Sequence, residues 1–99
     1  MESTMQRFEL RENDRLFGLV DYYRFDRIVI VTHTETHPAL PGKGNGNRLA
    51  AEAIAWFASQ GWQVVPICSF MAHFLRTHPQ YHDTVSPESR RLFRIGTPS

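Results

Sequence analysis

Three alternate glycines at a change of hydrophobic period constrain this chain more than anything else in it. Upstream, Ile28-Val29-Ile30-Val31 is an unbroken apolar run; downstream, Leu49, Ala50, Ala53, Ile54 and Phe57 recur at helical spacing; Gly42, Gly44 and Gly46 lie between. A strand must therefore pass through a turn into an amphipathic helix. Without Cβ atoms the turn lets a bound group touch its backbone, and the helix aims its free N–H groups back at it. Lys43 and Arg48 add charge to the positive end of the helix dipole, so the stretch reads as a cradle for phosphate or pyrophosphate. A flexible turn capped by Asn47 also accounts for the glycines.

The elements on either side follow from period and punctuation. Phe8 and Leu10 alternate with Glu9 and Arg11 as in a half-buried strand, Glu12-Asn13-Asp14 is turn chemistry, and Leu16 to Phe25 is a second strand. Asp26 and Arg27 lead into the third at Ile28, and connections this short permit only an antiparallel meander. Thr32 to His37 turns polar on both faces, and Pro38 and Pro41 stop regular pairing, which leaves backbone groups near the strand end free for a ligand. After the helix ends at Gly61, Val64, Val65 and Ile67 read as a short fourth strand, entered by a right-handed parallel crossover. Cys68 ends that strand, and Ser69 caps a second helix with Phe70, Met71, Phe74 and Leu75 on one face and Pro79 at its end. The predicted fold is α/β: an antiparallel three-strand meander, then helix-strand-helix, with a mixed sheet and the glycine turn at the carboxyl end of the third strand.

Residues 1–99 are expected to form one domain with its core at about 8–81, and residues 84–99 a tail. Ser86-Pro87-Glu88 is a helix start, and Leu92, Phe93 and Ile95 are an apolar cluster; Arg90, Arg91 and Arg94 fit a solvated basic tail as well as a docked helix over Pro87 to Ile95. A formal net charge of +1 with both signs interspersed gives no nucleic-acid footprint. One cysteine forms no internal bridge, and neither a leader nor a long apolar run is present, so a cytoplasmic protein without a membrane span is the expectation.

Cys68, between a strand end and a helix N-terminus, is a candidate reactive thiol; a small buried hydrophobe is the plainer reading. His33 is a candidate proton relay, because an imidazole titrates near neutral pH and Glu35 falls on the same side of the strand; a backbone-bonded polar residue is its plainer reading. The pairs His33/His37 and His78/His82 suggest zinc, but four residues of strand span about 13 Å and Pro79 breaks the helix that would align the second pair, so no metal is expected.

The order of elements resembles a truncated GCN5-related N-acetyltransferase, the GNAT fold. The signature of that family, Q/R-x-x-G-x-G/A, is met by Pro41-Gly42-Lys43-Gly44-Asn45-Gly46 with Pro41 in place of Gln or Arg and Asn45 in place of an apolar residue. Within the superfamily the chain is similar to small single-domain proteins that carry a His-Thr-Glu run, the glycine turn, a Cys before an aromatic helix and His-Pro-x-Tyr. Here these are His33-Thr34-Glu35, Gly42 to Gly46, Cys68-Ser69-Phe70 and His78-Pro79-Gln80-Tyr81, in the same order from about Phe8 to Tyr81.

The resemblance implies acetyl-CoA or another acyl-CoA as co-substrate and an amine as acceptor. The pyrophosphate would lie on Gly42, Lys43, Gly44, Asn45, Gly46, Asn47 and Arg48, and the pantetheine arm beside Thr34, Glu35 and Thr36. The thioester would then fall between the splayed third and fourth strands, near His33 and Cys68. His33 would relay the proton of the amine. Cys68 would protonate the leaving thiolate or accept the acetyl group itself, and Tyr81 is a third candidate acid, its alternative being an aromatic plug on the second helix. Full-length members build one wall of the acceptor site from two helices after the first strand, where this chain has room only for a turn. An open acceptor side suits a protein terminus, a lysine or a polyamine. Three functions fit: an N-acetyltransferase, an acyl-CoA-binding or sensing module, and a scaffold that binds no cofactor.

Overall fold

The structure is a computed structural model that describes residues 4–37 and 45–96. Strands β1 (Met5–Glu12), β2 (Arg15–Phe25) and β3 (Ile28–Thr36) are followed by helix α1 (Asn45–Ser59), strand β4 (Gln63–Pro66) and helix α2 (Ser69–Thr77). A 3-10 segment (Pro79–Thr84) and helix α3 (Pro87–Phe93) complete the chain. The sheet order is β1-β2-β3-β4, antiparallel through the first three strands and parallel between β3 and β4. This is the expected mixed sheet with its crossover through α1.

The turns explain why the meander forms where it does. Asn13 and Asp14 both take positive φ, 53° and 63°, between the paired residues Glu12 and Arg15, as a two-residue hairpin requires. Asp26 does the same at 54° before Ile28. Gly61, at φ 78°, ends α1.

One face of the sheet carries the helices. Val20 and Tyr22 of β2, Val29 and Val31 of β3 and Val64 of β4 pack against Leu49, Ala50, Ala53, Ile54 and Phe57, the stripe of α1 read from the sequence. Met71, Phe74 and Leu75 of α2 extend this core, and Val85 and Ile95 close it from the C-terminal side. Ile95 is 0% exposed, so residues 87–95 are docked, with Arg90 half-buried and Arg91 and Arg94 exposed. Ser86 caps α3, its side chain accepting from the Ser89 N–H at 3.2 Å. Among the described residues no helix is long and apolar enough to cross a membrane.

The fourth strand and second helix differ from the sequence expectation in register. β4 is Gln63–Pro66, so Ile67 lies outside it and is 58% exposed. Cys68 and not Ser69 is the N-cap of α2, and it caps without a side-chain hydrogen bond. The Ile67 N–H explains the early stop: after Gln63 and Val65 it is the next group in line to face β3, and it turns back to the Val65 carbonyl at 3.2 Å. Ala72 takes the buried place expected of Phe70, which is 39% exposed.

Candidate active site

β3 outruns β4. Their pairing reaches Val31 opposite Pro66, and the Cys68 N–H donates to the Val31 carbonyl at 2.9 Å as the last bond. Thr32 to Thr36 continue as strand with β2 as their partner, so among the described residues one backbone edge of β3 has no strand beside it. The splay between the third and fourth strands is therefore real, and it opens at Cys68.

A bulge at the mouth of this splay distributes the side chains. Tyr22 pairs with Val31 but Asp21 pairs with His33, which leaves Thr32 as an extra residue in β3. Val31 stands on the helix-covered face with Tyr22. The extra residue turns His33 to the opposite face, beside Asp21, and Thr34 to the helix face, beside Val20. There Cys68 donates its S–H to the Thr34 hydroxyl at 3.5 Å. His33 Nε2 lies 3.8 Å from Glu35 Oε2, an ion pair when the imidazole is protonated. His33 and Cys68 thus flank the opening from its two faces, without a hydrogen bond between them.

The face that holds His33 also holds an ion pair absent from the sequence reading. Arg7 Nε donates to Asp21 Oδ1 at 2.7 Å. Asp21 is only 7% exposed, and its carboxylate raises the pKa of Arg7, first by the hydrogen bond and then by charge. The hint lay in Asp21, a lone carboxylate in the apolar run of β2 opposite an arginine at strand spacing. His33 and Glu35 are exposed, and Asp21 is buried.

Gly42, Lys43 and Gly44 lie outside the described residues. The helix start beyond them suits an anion in part: α1 begins at Asn45 with no acidic residue in its first turn. Asn45, Gly46 and Asn47 are all helical, so Asn47 is not the cap. Gly46 meets a neighbour unforeseen in the sequence, for a Cβ placed on it would lie 2.6 Å from Phe70 Cζ. Arg48 is engaged elsewhere, donating to Glu12 at 3.1 and 3.3 Å and lying 4.8 Å over the Phe17 ring. Its pKa is raised chiefly by that Glu12 hydrogen bond.

Thr34 and Thr36 are half-buried and Glu35 is exposed. Tyr81 sits in the 3-10 segment with its ring 5.5 Å from Phe74, the packing of an aromatic plug on α2. His78 stacks on Phe74 at 4.0 Å, and its Nδ1 lies 2.7 Å from the Phe74 carbonyl. His82 Nε2 meets the Leu75 carbonyl at 2.9 Å. Both are engaged with backbone, and among the described residues no metal-binding group of three or more ligands forms.

A mixed sheet that splays at a parallel pair, with a helix that starts without acidic residues after the longer strand, is a truncated GNAT fold. The family model described as GCN5-related N-acetyl-transferase matches residues 7–84, and the chain belongs to that family. No curated protein matches it significantly.

Proposed function

We propose that the protein is an N-acetyltransferase that moves an acetyl group from acetyl-CoA to an amine on a protein or polyamine. The observation that carries this reading is the opening beyond Val31, with Cys68 and Thr34 on one face and His33 and Glu35 on the other. Acetyl-CoA supplies an activated acyl carbon and a thiolate leaving group. The first turn of α1, with Gly42 to Gly44 before it, holds the pyrophosphate, and the open edge of β3 takes the place of a strand partner for the amide-bearing arm.

From its exposed face, His33 receives the proton that the acceptor amine loses as its nitrogen attacks the acyl carbon, and Glu35 steadies the resulting imidazolium. Cys68 serves on the other face, where its S–H protonates the departing sulfur as the C–S bond breaks. The same thiol could instead take the acyl group first and pass it to the amine, and a mass increase of the protein incubated with acetyl-CoA alone would distinguish that order. Tyr81 is a third candidate acid. An amine acceptor on a large or flexible molecule suits the uncovered face. A single unpaired cysteine supports a cytoplasmic setting.

Acyl-CoA binding or sensing with little catalysis is the second reading. It is favoured by the commitment of Arg48 to Glu12 and by Pro41, which lacks an N–H donor. Titration calorimetry with acetyl-CoA, using Gly44→Asp as the control, tests both. Binding abolished by the substitution, followed by turnover that His33→Ala and Cys68→Ala remove, supports the transferase. Binding without turnover over a panel of amines leaves the sensor, and no binding at all sinks both.

A further inference from the structure

The two edges of the sheet are unlike. β4 presents four residues and includes Pro66, a poor template for another strand. β1 presents eight residues without proline, and among the described residues nothing pairs with its outer side. Its outward N–H and C=O groups are competent to receive a strand, and its side chains select which one. We propose that β1 pairs antiparallel with β1 of a second copy, with Phe8 on the two-fold axis, making one continuous sheet across both copies.

The register follows from charge. A two-fold axis normal to the sheet keeps the helix-covered faces on one side and must pass through a residue, because opposed residues share a face. Centred on Arg7, the strands would oppose arginine to itself; centred on Glu9, they would oppose Glu9 to itself and Arg7 to Arg11. Centred on Leu10, they would overlap only from Phe8 to Glu12 and set Phe8 against a carboxylate. The Phe8 register pairs the strand from Met5 to Arg11 and sets Arg7 against Glu9 of the partner subunit, twice by symmetry.

Both faces of the joined edge are prepared for this. On the open face, Arg7 already bonds Asp21 and Arg11 already donates to Glu9 Oε1 at 3.1 and 3.2 Å, so Arg7 and Glu9 of the partner subunit would join two such pairs into one row of alternating charge. On the helix face, Phe8 lies 5.8 Å from Trp56 and 6.4 Å from Phe57 between ring centroids, and Trp56 is 37% exposed. Phe8 of the partner subunit would extend that aromatic cluster across the axis. The candidate active site lies between β3 and β4 at the far side of the sheet, so pairing through β1 leaves both sites open and does not depend on the proposed chemistry. A single strand pair buries little area, so the dimer is weak and concentration-dependent.

Sedimentation velocity of the full chain over a concentration series at low salt tests it, with circular dichroism to verify folding. Reversible dimerisation is expected, weakened about tenfold by Glu9→Lys because two opposite-charge contacts become like-charge, and kept by Arg11→Lys. On mild oxidation Phe8→Cys in a Cys68→Ser background should form a disulfide dimer, since Cα atoms about 4.5–5.5 Å apart across such a pair are within bridging reach. Leu10→Cys in the same background should form no disulfide dimer, because position 10 faces position 6 in this register. A monomer at every concentration overturns the proposal. So does a dimer indifferent to Glu9→Lys, or one that crosslinks through position 10 or through Ile67→Cys, exposed beyond the end of β4.

Discussion

The Cys68 thiol and the Thr34 hydroxyl meet at 3.5 Å where β3 and β4 part, joining the N-cap of α2 to the free end of β3. Thr34→Val keeps the shape and removes the partner, whereas Thr34→Ser keeps the hydroxyl. One such hydrogen bond contributes about 1 kcal/mol, roughly fivefold in rate. Alkylation of Cys68 by iodoacetamide at one fixed pH should be about fivefold faster in Thr34→Val than in the wild type and be restored by Thr34→Ser. Identical rates for all three proteins would show that the contact has no bearing on the thiol.

Much of this architecture was legible in the sequence because it rests on period and punctuation. The apolar stripe of α1, the hairpin residues Asn13 and Asp14 and the stop at Gly61 are local signals, and each lies where it was expected. The features that were not legible depend on a count across strands. Nothing in Val31-Thr32-His33 says that Thr32 is an extra residue, yet it decides that His33 and Val31 stand on opposite faces. The fourth strand stops after Pro66, where the Ile67 N–H turns back to the Val65 carbonyl, a local bond that apolar spacing does not reveal. Helical spacing puts Phe70 in the core, and the structure sets it over Gly46.

That contact gives Gly46 a role in packing and leads to a change of sign. With a Cβ 2.6 Å from Phe70 Cζ, Gly46→Ala must displace the ring, which cancels the gain from replacing glycine in a helix. In a Phe70→Ala background the displacement disappears, and Gly46→Ala should stabilise by about 0.5 kcal/mol. Denaturant midpoints for the wild type, both single variants and the double variant form the cycle that reads this coupling. Additive effects would mean that the ring yields freely.

The Arg48–Glu12 pair bears on the anion site from the other side. Glu12→Gln removes a carboxylate near the start of α1 and releases the guanidinium now held at 3.1 and 3.3 Å. Acetyl-CoA should then bind about two- to fivefold more tightly at low salt, with the advantage shrinking as salt rises. Calorimetry at two ionic strengths measures both. Weaker binding in Glu12→Gln would assign the pair to support of the site.

The docked tail predicts an asymmetry between neighbours. Ile95 is fully buried in the main core and Leu92 is 75% exposed. Ile95→Ala should cost about 2–4 kcal/mol in a urea titration, and Leu92→Ala within about 0.5 kcal/mol of nothing. Equal, small effects would return residues 87–95 to a solvated tail.

Tyr22 links the core to alkaline stability. Burial raises its pKa above the ordinary 10.0, with Arg24 opposing as the smaller effect, because the phenolate would lose solvent where Tyr22 packs 4.9 Å from Phe57. A raised folded-state pKa favours the protonated phenol in the native protein. The contribution is therefore fully present below pH 10.0 and is lost as pH climbs from that value through the higher folded pKa, where the unfolded chain ionises first. Tyr22→Phe has no proton to lose, so its unfolding free energy should fall less steeply than that of the wild type above pH 10.0, while the two curves run parallel near neutrality. Curves that stay parallel through the alkaline range would place the phenol in contact with water.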